Sequence, residues 1–178
     1  MFEVLLVGLI YKFPEWSPFF VFLALIIGGL NLPISEDAII IITGFLAATT
    51  LRHQALELWI SLFIGAFFSD LIAFSTGHFF GSKIQNIKWI SKIVTPERLS
   101  KMHSFYEKWG FFAFFIGRFI PFGARNCLYI SAGMGNMSFY KFFIIDIFAA
   151  FFSTTVGFLI VFNLSHYFGS HIDKLRSI

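Results

Sequence analysis

Phe111-Phe112-Ala113-Phe114-Phe115-Ile116-Gly117-Arg118-Phe119-Ile120-Pro121-Phe122-Gly123-Ala124-Arg125 decides how the rest of the chain is read. Its first half is apolar on every face of a helix, which lipid accepts and water does not. Its second half sets two arginines, a proline and a glycine into the same apolar run. On insertion scales each arginine would cost about 2.5–3.5 kcal/mol at the bilayer centre, so this is no plain lipid-facing span. Residues 111–136 read instead as a segment that enters the membrane, breaks near Pro121 and Gly123, and returns.

The rest of the chain points to the same solvent. Of its 178 residues 57% are hydrophobic and only 13% charged, and the mean hydropathy is +0.80; soluble domains run to about a quarter charged. The length suggests one domain. The single Cys127 rules out an internal disulfide framework and a four-thiolate zinc site. The net charge of +3 does not indicate nucleic acid, because the basic residues stand beside apolar spans, where they are topology signals. Met1 to Lys12 carries Glu3 and lacks a small-residue cleavage site, so it reads as an interfacial or partly inserted helix rather than a cleaved signal.

Working outward, three spans are expected at about 16–32, 56–80 and 139–162. The first begins at the interfacial Trp16 and is stopped by Pro33. After Ile34-Ser35-Glu36-Asp37 comes an apolar run to Leu51, too short for the roughly 20 residues a crossing needs, so 33–51 reads as a second re-entrant segment. Residues 82–110 are rich in lysine and arginine and read as a cytoplasmic loop. Ile84, Ile87, Ile90 and Ile93 recur there at helical spacing, as in a helix lying in the membrane plane, and Thr95-Pro96 should start another helix.

The two short segments belong to a repeat. Pro33 precedes Gly44 by 11 residues and Pro121 precedes Gly133 by 12. The span after the first contains Phe67-Phe68-Ser69 and ends Phe79-Phe80-Gly81-Ser82; the span after the second contains Phe151-Phe152-Ser153 and ends Tyr167-Phe168-Gly169-Ser170. Pro33, Gly44, Pro121, Gly123 and Gly133 are the expected hairpin breakers. The fold class that follows is an all-α membrane protein, a helical bundle with two broken, re-entrant hairpins in an inverted-repeat arrangement.

Charged residues inside such a bundle are the candidate site. Arg118 and Arg125 can fork onto phosphate or carboxylate oxygens, or pair with Glu36, Asp37 or Asp70 to hold the bundle. Glu36, at the mouth of the first broken segment, could bind and release a proton, and Asp37 is equally a helix-start residue. Asp70, in the middle of its span, should face a partner or a wet cavity, and Asp146, nearer its interface, ranks below it. His78, His103, His166 and His171 show no metal-ligand spacing, and no nucleophile stands with a base, so neither a metal site, a cofactor nor an enzyme is expected.

Gly117-Arg118-Phe119-Ile120-Pro121, Arg125, Ala132-Gly133-Met134-Gly135 and Met137-Ser138-Phe139 resemble the signature of the DedA family of SNARE-associated, or VTT-domain, membrane proteins. Pro33 and Glu36 leading to Thr43-Gly44, and Gly65 and Asp70 leading to Gly77 and Gly81, support the resemblance, which covers roughly residues 16–170. It implies a multi-pass protein of the bacterial inner membrane that transports or scrambles lipid through two re-entrant hairpins. It also implies links to undecaprenyl phosphate recycling and to the proton motive force. By the same resemblance Arg118 and Arg125 bind the lipid phosphate, with Glu36 and Asp70 in ion-pair or proton coupling. Two departures stand out: Gly123-Ala124 lengthens the usual arginine spacing by one residue, and Ala47-Ala48-Thr49 occupies a region where some bacterial members carry a second acidic residue. The expected partners are membrane lipids and protons, with a homo-oligomer left open. A proton- or ion-coupled small-solute transporter and a non-transporting membrane scaffold are the rival readings.

Overall fold

An apolar chain in lipid must satisfy its backbone N–H and C=O groups within itself, and a helix does this locally. The computed structural model describes residues 2–29, 35–81, 95–118, 124–135 and 137–176, and among them all regular structure is helical. The α-helices are α1 (Phe2–Lys12), α2 (Ser17–Gly29), α3 (Glu36–Thr49), α4 (Ala55–Phe80), α5 (Pro96–Trp109), α6 (Phe111–Gly117), α7 (Ala124–Met134) and α8 (Phe139–Arg176).

Among the described residues, α4 and α8 are long and apolar enough to cross a membrane. The 14 residues of α3 reach about 21 Å at 1.5 Å per residue, short of a hydrocarbon core of about 30 Å. The span expected over 16–32 is helical over Ser17–Gly29. Two boundaries fall where glycine alone adopts the backbone comfortably: Gly81 (φ +47°) closes α4, and Gly110 (φ +50°) separates α5 from α6. The last helix continues beyond the span expected over 139–162, to Arg176. The end of an apolar run is not itself a stop signal, no proline follows, and Asn163 donates from its side-chain amide to the Leu159 carbonyl at 2.7 Å, within the helix.

Helix α4 is the central element, with α2, α7 and α8 packed on it. Its contact with α2 is drawn close by Gly29 against Ser69 and Gly65 against Leu25, and its contact with α7 by Gly77 against Ile130 and Gly133 against Phe74. Helix α3 packs chiefly on α8, where Gly44 meets Val161 and Gly157 meets Ile40. The expectation that Gly44 breaks its segment is corrected: it lies inside a continuous helix, because one glycine weakens a helix by only about 1 kcal/mol while its missing Cβ admits a neighbour. Gly133 is the penultimate residue of α7, which ends at Met134. Pro33, Pro121 and Gly123, like the Ile84–Ile93 pattern, lie outside the described residues.

Two apolar clusters hold these contacts. One gathers Phe74, Phe114, Leu128, Tyr129 and Phe142 between α4, α6, α7 and α8, with Phe74 and Phe142 stacked at 4.2 Å between ring centroids. The other joins Leu6 and Ile10 of α1 to Val21, Leu25, Ile39 and Leu62, so α1 is part of the packed body. The outer surface is apolar as well: Phe68, Phe79, Phe112, Phe148, Phe152 and Ile160 are exposed. A water-soluble monomer rarely shows so large an apolar surface, whereas a protein surrounded by acyl chains has no cost for it.

Candidate functional site

Five helices deliver ionisable side chains to one buried place. Arg118 stands at the C-terminal end of α6 and Arg125 in the first turn of α7. Glu36 opens α3, whose first turn is capped by the Ser35 hydroxyl accepting from the Ala38 N–H at 3.3 Å. Asp70 comes from the middle of α4 and Asp146 from the second turn of α8.

Arg118 is wholly enclosed, with 0% of its side chain exposed. Its Nη1 donates to Asp70 Oδ2 at 2.7 Å and to Asp146 Oδ1 at 3.4 Å, its Nη2 also donates to Asp70 Oδ2, and its Nε donates to the Ser153 hydroxyl at 3.0 Å. Arg125 donates from Nη2 to Glu36 Oε2. Its Nε lies 3.3 Å from Asp70 Oδ1, but off the hydrogen-bond line, so neither atom gains a bond. Glu36 Oε1 is 4.0 Å from Arg118 Nη2. Asp70 and Glu36 thus each bridge the two arginines. A guanidinium out of water is tolerable only when surrounded by acceptors in this way.

The cluster has a closed side and an open side. Asp70, Asp146 and Arg118 are at 0% exposure, whereas Arg125 retains 14% and Glu36 9%. The latter two border a cavity of about 400 Å³ whose wall also includes Arg118, Ser153 and Asp37. Asp37 sits at an exposed position in the first turn of α3, where the helix dipole favours an anion. Towards the other end the cavity is lined by Ile40, Ile41, Ile160 and Val161, and Ile41 and Ile160 are more than half exposed. A charged end and an apolar end open to the surface along the line where α3 meets α8.

Of the residues singled out from the sequence, Glu36, Asp70, Arg118 and Arg125 are brought together, with Asp37 at the rim. Asp146, ranked below them, is fully buried in the same cluster, and Ser153 and Tyr129 were not foreseen there. A signal existed for two of the three. Asp146 and Ser153 are seven residues apart, two helical turns on one face, and Ser153 belongs to one of the repeated Phe-Phe-Ser motifs. Among the described residues no group of three His, Cys, Asp or Glu side chains is arranged to hold a metal ion.

Comparison with known proteins places these features in context. A family model described as VTT domain matches residues 32–163, a range that contains every residue of the cluster. The chain is 38% identical over 163 residues to an inner membrane protein of Borreliella burgdorferi, covering 92% of this chain and 77% of that one. It is 30% identical over 154 residues to an uncharacterized membrane protein of Haemophilus influenzae (85% and 70%). To Protein DedA of Escherichia coli it is 32% identical over 107 residues (60% and 48%). No solved structure matches.

Proposed function

Because the chain belongs to the DedA family of VTT-domain membrane proteins, we propose that it moves an anionic lipid between the leaflets of the bacterial inner membrane, which it crosses several times. The substrate class is a polyprenyl phosphate such as undecaprenyl phosphate, or a phospholipid. The observation that carries this reading is the two-ended cavity. Its guanidinium end suits phosphate oxygens, and its apolar end leads out between Ile41 and Ile160 to where acyl or prenyl chains lie.

The geometry suggests how the exchange would run. Arg118 is fixed by Asp70, Asp146 and Ser153 and supplies a constant positive field. Arg125 is held from the cavity side by Glu36 alone, so an entering phosphate would take the nitrogens that Glu36 now occupies. The displaced Glu36 carboxylate would then be free to take a proton, which links phosphate loading to a proton gradient. A further feature supports two re-entrant hairpins in an inverted repeat. The short α3 packs chiefly on the long α8 of the other half, and the short α7 chiefly on the long α4 of the first.

A small-solute transporter would use the same charges but needs no sideways opening, and a scaffold needs neither opening nor exchangeable arginine; the apolar mouth favours the lipid. The test is lipid movement in reconstituted vesicles carrying a fluorescent polyprenyl phosphate. Arg125→Ala and Arg125→Lys, verified as folded, should slow its transfer between leaflets strongly and moderately, in that order. Undiminished transfer in folded Arg125→Ala would overturn the proposal, and transport of a soluble anion with no lipid movement would favour the small-solute reading.

A further inference from the structure

The buried ion cluster does not balance. Three carboxyl groups, Glu36, Asp70 and Asp146, face two guanidiniums, Arg118 and Arg125. With all five ionised the site would hold one uncompensated negative charge, and Asp70 and Asp146 are fully excluded from water. Both accept from the same Arg118 nitrogen, Nη1, at 2.7 and 3.4 Å, and Asp70 Oδ1 and Asp146 Oδ2 are each buried without a hydrogen-bond partner. Two carboxylates so placed are both acceptors and repel; a proton on one turns the repulsion into a bond.

The contacts say which of them carries it. Asp70 Oδ2 receives both terminal nitrogens of Arg118. Asp146 has one 3.4 Å contact to Arg118, through Oδ1, and its Oδ2 has no hydrogen-bond partner. The other titratable or charged groups around the pair are Glu36 on α3, Arg118 at the end of α6, and Arg125 and the buried Tyr129 hydroxyl on α7. Neither arginine gives Asp146 the bidentate contact that would hold it as an anion.

We infer that Asp146 holds a proton in the resting protein, shared towards Asp70, and that this proton sets how strongly the two arginines attract a phosphate. With Asp146 neutral the cluster stands at two charges of each sign, and an arriving phosphate competes on the cavity side with Glu36 for Arg125. With Asp146 ionised, a third carboxylate opposes the incoming anion, and affinity falls. The second half of the inference rests on the phosphate reading above; the first half stands on the cluster geometry by itself.

The experiment has two arms for that reason. Infrared difference spectra of the protein in lipid nanodiscs, between neutral and alkaline pH, should contain a carboxylic-acid C=O band. The band should vanish in Asp146→Asn and move, rather than vanish, in Asp146→Glu, which decides the matter even if the asparagine variant does not fold. Absence of the band in the wild type, or its persistence unshifted in both variants, would overturn the inference. In the second arm, farnesyl phosphate affinity is measured against pH for wild type and Asp146→Asn. The ratio of the two should grow in favour of the variant by about tenfold per pH unit once Asp146 ionises. A constant ratio would overturn the role in anion affinity. Failure of farnesyl phosphate to bind the wild type at any pH would sink the phosphate reading while leaving the infrared arm to decide the proton.

Discussion

The α4–α7 crossing and the α3–α8 seam are both built on glycines, yet the glycines face different things. A Cβ on Gly77 would run into the carbonyl oxygen of Ile130, and one on Gly133 into that of Phe74, so backbone meets backbone and nothing can yield. At the seam, a Cβ on Gly157 would come 3.1 Å from Ile40 Cγ2, the end of a flexible side chain, whereas one on Gly44 would come 2.9 Å from Val161 Cβ, which no rotamer change moves. Side chains can change rotamer; a helix backbone cannot. Arg125 rides on the unyielding contact, while the seam that carries the apolar mouth has one yielding point, where Gly157 meets Ile40. One wall fixes the charge, and the other includes a side-chain end that is free to move.

The strongest way to break this contrast is Arg118→Met. It leaves Asp70 without its main counter-ion and Asp146 without its hydrogen-bond donor, and breaking a buried pair costs about 3–5 kcal/mol; thermal denaturation in detergent should show a large fall in midpoint, and an unchanged midpoint would mean the cluster contributes nothing to holding the helices. Next, Gly77→Ala or Gly133→Ala should cost about 1–3 kcal/mol through overpacking against backbone. Near-native stability in either would show that the α4–α7 wall yields after all. Arg125→Lys is smaller still in its effect on the fold, because that side chain borders the cavity, but loss of the planar fork should weaken phosphate-lipid binding about tenfold. Smallest is Gly157→Ala. Its gain in helix propensity, about 1 kcal/mol, opposes a contact that Ile40 can relieve, so stability should stay near wild type while long-chain phosphates are slowed more than short-chain ones. Equal slowing would place the chain path elsewhere.

Much of this was legible in the sequence for a physical reason: charge inside an apolar run has few places to go. Arg118, Arg125, Glu36 and Asp70 could be picked out because lipid penalises each of them alone, and they are found together. Asp146 was underrated because depth was judged by distance along its own helix. The relevant depth is the position of that helix against α4, which no single-segment count contains. Gly44 departs from expectation for a related reason. A glycine in an apolar segment can mark a break or a close approach, and only the neighbour across the interface distinguishes them. Hydropathy reports where lipid ends, not where helix ends, and α8 continues beyond the expected span to Arg176.

Trp59 lies where these two long helices touch. Its indole N–H donates to the Thr155 hydroxyl at 3.2 Å, and its ring meets Phe151 edge-on at 5.7 Å and lies parallel to Phe63 at 6.3 Å. That placement makes it a built-in optical gauge. In a variant with Trp16, Trp89 and Trp109 changed to phenylalanine, the emission of Trp59 alone reports whether α4 and α8 stay joined or separate when a phosphate lipid is added, with no external label attached.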